Sequence, residues 1–118
     1  MCIRDRYNIY TDGSRLNQQV GAGLQIRKRN QPIISNAYRL SDAATVYQAE
    51  IYAIKEAASI AKDIQDITHV KFFVDSQAAL MALIAPTVKS RLTLATIQEL
   101  NNIPCRVTLV WVLSLIHI

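Results

Sequence analysis

The sequence predicts a single α/β domain built on a mixed β-sheet. Three observations point there. The first forty residues read as three strands with short links, which implies an antiparallel meander. The remainder alternates helix and strand, and helical crossovers place strands in parallel. The long helix has an apolar stripe to lay on a sheet, while the apolar residues of the last helix, Leu92, Leu94, Ala95, Ile97 and Leu100, are spread over more than one face.

The elements follow in order. Residues 7–12, YNIYTD, alternate β-branched and aromatic side chains and predict a strand, which Gly13-Ser14 is expected to break. Residues 19–29, QVGAGLQIRKR, predict a second strand, whose two glycines mark a bulge or a close backbone approach. Asn30-Gln31-Pro32 is a turn signal, and residues 33–40, IISNAYRL, predict a third strand. Thr45 with Gln48 three residues on is a capping box for a helix over 45–63. HVKFFV, 69–74, predicts a strand ending at Asp75. QAALMALIA, 77–85, predicts a short helix stopped by Pro86, and Ser90 to about Asn101 another, ended by Pro104. RVTLVWV, 106–112, predicts the last strand, with Trp111 expected in the core. The order is β-β-β-α-β-α-α-β, a mixed sheet with helices covering its faces.

At 118 residues the chain makes one domain at most and can bury a core unaided. No apolar run approaches the roughly 18–20 residues of a membrane span. The N-terminus shows no apolar signal region. Two cysteines, Cys2 and Cys105, form neither a disulfide framework nor a metal-spaced pair and suit a reducing, intracellular compartment, cytoplasm or nucleus. The net charge of +4 mildly favours a polyanionic partner.

The two ends read as something other than protein. MCIRDR back-translates to ATG TGT ATA AGA GAC AG. The reverse complement, CTG TCT CTT ATA CAC AT, encodes Leu-Ser-Leu-Ile-His and the start of an Ile codon, matching the final LSLIHI. One DNA sequence read on both strands thus encodes both ends, and it resembles the transposase recognition end ligated into sequencing libraries. Residues 1–6 and 113–118 are therefore expected to be adapter translations, and 7–112 an internal piece of a longer gene. His117 and Cys2 then drop out of the functional argument. The remainder carries 11 Lys+Arg against 8 Asp+Glu.

The long helix contains one awkward residue. Gln48, Tyr52, Lys55, Ser59 and Lys62 make a polar stripe, and Ala53, Ile54, Ala57, Ile60, Ala61 and Ile64 the apolar one. Glu50 sits at the head of the apolar side. Asp12 and Asp75 stand at the C-terminal ends of the first and fourth strands. If those strands are parallel neighbours, Glu50 can join them at one sheet edge. Three ionised carboxylates with no positive partner would repel and be poorly solvated. A divalent cation resolves this, and oxygen-only ligands suit Mg²⁺ or Mn²⁺. Taken singly, each acid has a plainer role. Asp12 before Gly-Ser reads as a turn residue, Asp75-Ser76 as a helix cap, and Glu50 as solvent-facing if the helical register is off by one.

The ordered set "IYTDGS", "GAGLQI", "YQAEIYAIKEA", "FFVDSQAAL" and "VTLVWV" resembles the type 1 ribonuclease H family, most closely the ribonuclease H domains of retrotransposon polyproteins. The resemblance covers nearly all of 7–112. It implies a five-stranded sheet in the order 3-2-1-4-5, first three strands antiparallel, flanked by helices. It implies hydrolysis of the RNA strand of RNA–DNA hybrids by two metal ions, with Asp12, Glu50 and Asp75 as catalytic and metal-binding residues. Asp12 resembles the acid that bridges both ions. The backbone amides near Gly13 and Ser14, and Tyr47, Gln48 and Ser76, are the implied substrate contacts. The implied partners are a hybrid duplex and, on a larger polyprotein, a reverse transcriptase, with no membrane.

The sequence also departs from the family. After Val112 the family continues through a histidine-bearing loop to a fourth acid on a final helix, and here LSLIHI follows. The final helix is expected to be missing, one sheet face bare, solubility poor and this chain inactive or nearly so. His69 starts a strand far from the site and reads as a surface or edge histidine. Cellular members carry an Asn-Gln pair where this chain has Val46-Tyr47, so groove contacts there would have to come from Tyr47 and Gln48 as substitutes. Arg27-Lys28-Arg29 reads as a solvated hairpin tip, with a phosphate contact as the alternative. A second reading keeps the fold but makes the chain a catalytically dead nucleic-acid-binding module.

Overall fold

The computed structural model describes residues 6–29, 31–64, 67–86 and 89–112. The elements are β1 (Arg6–Leu16), β2 (Gln19–Lys28), β3 (Gln31–Leu40), α1 (Val46–Ala61), β4 (His69–Val74), α2 (Gln77–Ile84), α3 (Arg91–Asn101) and β5 (Arg106–Trp111). They make one sheet in the order β3-β2-β1-β4-β5. β1 to β3 run antiparallel, while β4 is parallel to β1 and β5 to β4. This is the mixed sheet expected from the order of elements. Of the end stretches, 1–5 and 113–118 lie outside the described residues, and Arg6 is the first residue of β1, paired with His69.

Gly13-Ser14 does not break β1, contrary to the sequence-based expectation. The strand continues to Leu16 because β2 pairs with it as far as Leu16–Gln19. The reversal is made by Asn17 and Gln18, both at positive φ (52° and 66°), as a two-residue hairpin turn demands. Pro32 lies inside β3, which an edge strand tolerates because the missing N–H leaves no central ladder bond unmade.

Strand alternation sorts the sheet into two faces. Ile9, Leu24, Ile26, Val70, Phe72 and Val74 are buried on the face that receives α1. The helix answers with Ile51, Ile54, Ala57, Ala58 and Ala61, and its Ala49 and Ala53 pack on Val20 and Ala22 of β2. The alanines matter because a small side chain lets the helix axis come close to the strands. The opposite face carries Asn8, Tyr10, Lys71 and Phe73, and no helix covers it among the described residues. There Tyr10 stacks on Phe73 at 4.9 Å. Trp111, expected in the core, is 43% exposed, because it ends the edge strand β5 where only β4 lies alongside.

The capping box is formed. Thr45 Oγ1 accepts from the Gln48 N–H at 3.0 Å, and Gln48 Oε1 accepts from the Thr45 N–H at 2.9 Å. Because this cap fixes the first turn of α1, Thr45→Ala is expected to cost about 1 kcal/mol, read as a lower urea midpoint at unchanged slope. An unchanged midpoint would show that tertiary packing alone holds the turn.

Candidate metal centre

Register brings the two aspartates together. The parallel β1–β4 pairing ends at Thr11–Val74. Asp12 follows Thr11 within β1, where it still pairs with Gly23, and Asp75 follows Val74 just past the end of β4, so the two lie side by side. The end that matters is that of the parallel pairing, since β1 itself runs on to Leu16. Glu50, in the second turn of α1, completes the group. One carboxylate oxygen from each of Asp12, Glu50 and Asp75 lies within 4.8 Å of the others.

α1 can reach this edge because of Gly13. A Cβ there would stand 2.7 Å from both the Glu50 N and the Val46 O, and 3.0 Å from the Ala49 Cβ. The first turn of α1 therefore rests on the strand backbone itself. The Gly13 N–H favours the charged forms of the Asp12 and Glu50 carboxylates. Thr11, on the same inward face of β1, is buried and donates its hydroxyl to Glu50 Oε1 at 2.8 Å. Sequence reasoning missed Thr11. The available signal was its place two residues before Gly13 on a strand, which points both at the same neighbour.

Electrostatics follow from this burial. Glu50 is 2% exposed. Burial pushes its carboxyl up to about 7; the Thr11 hydroxyl and the Gly13 N–H work against that, while the Asp75 and Asp12 charges add to it. Burial first, then the Asp75 charge, hold Asp12 above its usual range against the pull of the Gly13 N–H. Ion pairs form elsewhere, Arg39–Asp42, Lys55–Glu56 and Lys62–Glu99, all at the exposed or half-buried surface. Among the described residues no lysine or arginine neutralises the three acids. Oxygen-only donors this close, with no protein cation, fit a hard divalent ion.

The other expected site residues are more dispersed. Ser76 is next to Asp75, but its Oγ accepts from the Ala79 N–H at 3.1 Å and caps α2. The cap is thus Ser76, which leaves Asp75 free for the centre. Ser14 is exposed on the outward face of β1, opposite Gly21. Tyr47 and Gln48 line a separate cleft of about 590 Å³, where the N-termini of α1 and α3 converge with Lys89. Lys89 Nζ also donates to the carbonyls of Ala82 and Ala85, closing the end of α2. His69 is half-buried at the start of β4, far from the acids, its Nε2 3.0 Å from Thr108 Oγ1. The basic run lies on the β2 side of the sheet's other end, where Lys28 sits over the Tyr7 ring at 5.3 Å and Arg27 bonds Gln25.

Comparison with solved structures shows a likeness of fold. Ribonuclease H1 from the halophilic archaeon Halobacterium salinarum NRC-1 superposes with a TM-score of 0.77. The match covers 92% of this chain and 86% of that one at 18% identity. The fold is that of ribonuclease H. No family model and no curated protein matches the chain. Among the described residues no helix is long and apolar enough to cross a membrane.

Proposed function

We propose that this chain is a ribonuclease H-type domain that hydrolyses the RNA strand of RNA–DNA hybrids. The observation that carries the proposal is the convergence of Asp12, Glu50 and Asp75 within 4.8 Å on the ribonuclease H fold. Asp12, Glu50 and Asp75 would hold Mg²⁺ or Mn²⁺. When bound, such ions supply an activated water and stabilise the leaving oxygen of the cleaved phosphodiester.

The chain's own residues supply placement. The Thr11–Val74 register sets two of the acids side by side, Asp12 within β1 and Asp75 just past β4, and α1 brings the third over them. Substrate contacts are proposed at Gly13, Ser14, Tyr47, Gln48 and Ser76. Gln48 caps α1 through its oxygen and keeps an amide NH₂ to donate. Ser76 likewise accepts as a cap and keeps its hydroxyl proton. The cleft beside Tyr47 has two helix N-termini and Lys89, a polarity that suits a backbone phosphate. The RNA strand would be told from DNA by its 2′-hydroxyls. Residues 7–112 would be the working unit, the proposed parent being a retroelement polyprotein with a reverse transcriptase in an intracellular setting. The retroelement part rests on the sequence resemblance alone.

Three acids complete the ligand set of one ion better than that of two, so slow turnover is expected. The test has two readouts on the full chain. Calorimetric titration with Mn²⁺ should show saturable binding, and a doubly labelled RNA–DNA hybrid should be cut only in its RNA strand and only before a chelator is added. Metal binding with no cleavage at stoichiometric protein would favour the binding-module reading. No metal binding would sink the centre itself.

A further inference from the structure

Resting on the metal centre proposed above, we propose that Thr11 is a positioning residue, whose hydroxyl fixes the Glu50 carboxylate in the orientation that leaves it free to ligate a cation. Thr11 is 6% exposed and sits in the middle of the sheet, paired with Leu24 on one side and Val74 on the other. Its backbone is therefore held from both flanks. Its Oγ1 donates to Glu50 Oε1 at 2.8 Å, from the residue adjacent to Asp12.

A glutamate needs such a tether more than an aspartate does. It has one more side-chain torsion, and the final one, which turns the carboxylate, is broad and weakly restrained. Asp12 gains its direction from the paired backbone of β1, and Asp75 from the end of β4 just before it. Glu50 approaches from a helix, and a centre needs its oxygens held to fractions of an ångström. The Thr11 bond occupies one oxygen from the sheet side. Turning the carboxylate would break that bond in a buried place, where no water replaces it. One Glu50 carboxylate oxygen lies within 4.8 Å of an oxygen of Asp12 and one of Asp75, so a cation between them could take all three. Strand alternation makes the device compact: Thr11 and Gly13 face α1 and grip Glu50, and Asp12 between them is left for the metal.

The experiment compares wild type, Thr11→Val and Thr11→Ser as full chains, by Mn²⁺ calorimetry and by the electron paramagnetic resonance line shape of bound Mn²⁺. Loss of an outer partner of a metal ligand weakens binding by about 10–100-fold. Thr11→Val is isosteric without the hydroxyl, so it should bind Mn²⁺ at least tenfold more weakly, with a broadened line shape. Thr11→Ser restores the donor and should bind within threefold of wild type. A residue that only packs would give the opposite order, because valine fills the site and serine leaves a gap. Equal Mn²⁺ affinity in wild type and Thr11→Val would overturn the role of Thr11 while leaving the centre intact. No binding by wild type would overturn the centre as well. Should Thr11→Val fail to fold, Thr11→Cys, with a weak donor in place of a strong one, must bind more weakly than Thr11→Ser or the inference falls.

Discussion

Glu50→Gln is expected to make the metal-free protein more stable at pH 8 while removing most of its affinity for Mn²⁺. The sign follows from the raised carboxyl, near 7 in the folded chain against an ordinary 4.5. Below about pH 4.5 both folded and unfolded chains carry the proton, and Glu50 contributes nothing to the difference. Between the two values only the folded chain holds it, so stability falls as the pH rises through that window. Above about 7 the full cost of an ionised buried carboxylate is present. Glutamine never ionises, fills nearly the same volume and still accepts from Thr11. The gain should therefore be absent at pH 4 and on the order of 2–3 kcal/mol at pH 8. Urea unfolding of both proteins at the two pH values, in chelator, measures it. Equal or lower stability of the variant at pH 8 would show that Glu50 is paid for by a partner within the protein. The same protonation competes with metal, so wild-type Mn²⁺ affinity should drop as the pH falls below about 7. Removing a ligand should cost at least the roughly 100-fold upper end seen for outer partners.

Gly13→Ala is the second large effect. The backbone at Gly13 is not at positive φ, so alanine is allowed by local conformation. The obstacle is α1: the new methyl meets two backbone atoms at 2.7 Å, and backbone cannot rotate aside. The helix must lift, weakening the contacts of Ala49 and drawing Glu50 off the aspartates. A loss of about 1–3 kcal/mol is expected, as for other overpacked sites, together with weaker Mn²⁺ binding. Gly23→Ala is the control, since its nearest neighbour to a new Cβ is the Asn36 carbonyl oxygen at 4.0 Å. If the two variants matched in unfolding midpoint and Mn²⁺ affinity, the close approach at Gly13 would carry no weight.

Local chemistry was legible in the sequence. Thr45 and Gln48 announce the start of α1, the alternation in HVKFFV announces β4, and Pro86 and Pro104 mark the ends of the segments they follow. These signals act within a few residues, so they need no knowledge of the rest of the chain. The three acids were legible as a set because Asp75 follows a strand's end and Glu50 is on the wrong face of a helix, while Asp12 was read at a strand end that the structure moves on to Leu16. Long-range pairing decided the rest. Whether Gly13-Ser14 ends a strand depends on what β2 offers opposite, and β2 offered partners up to Gln19. Trp111 has a core residue's composition but an edge strand's place. Ser76 and not Asp75 caps α2, because both were within reach of the cap and only geometry chose between them. The sequence by itself determined the order and kind of the elements and which acids were out of place. Only the tertiary structure decided that Thr11 and Val74 end their pairing together, and that α1 rests on a glycine beside them. That follows from physics: periodicity is a property of a segment, whereas a site made of three carboxylates is a property of register between segments 38 and 25 residues apart, which no local pattern encodes.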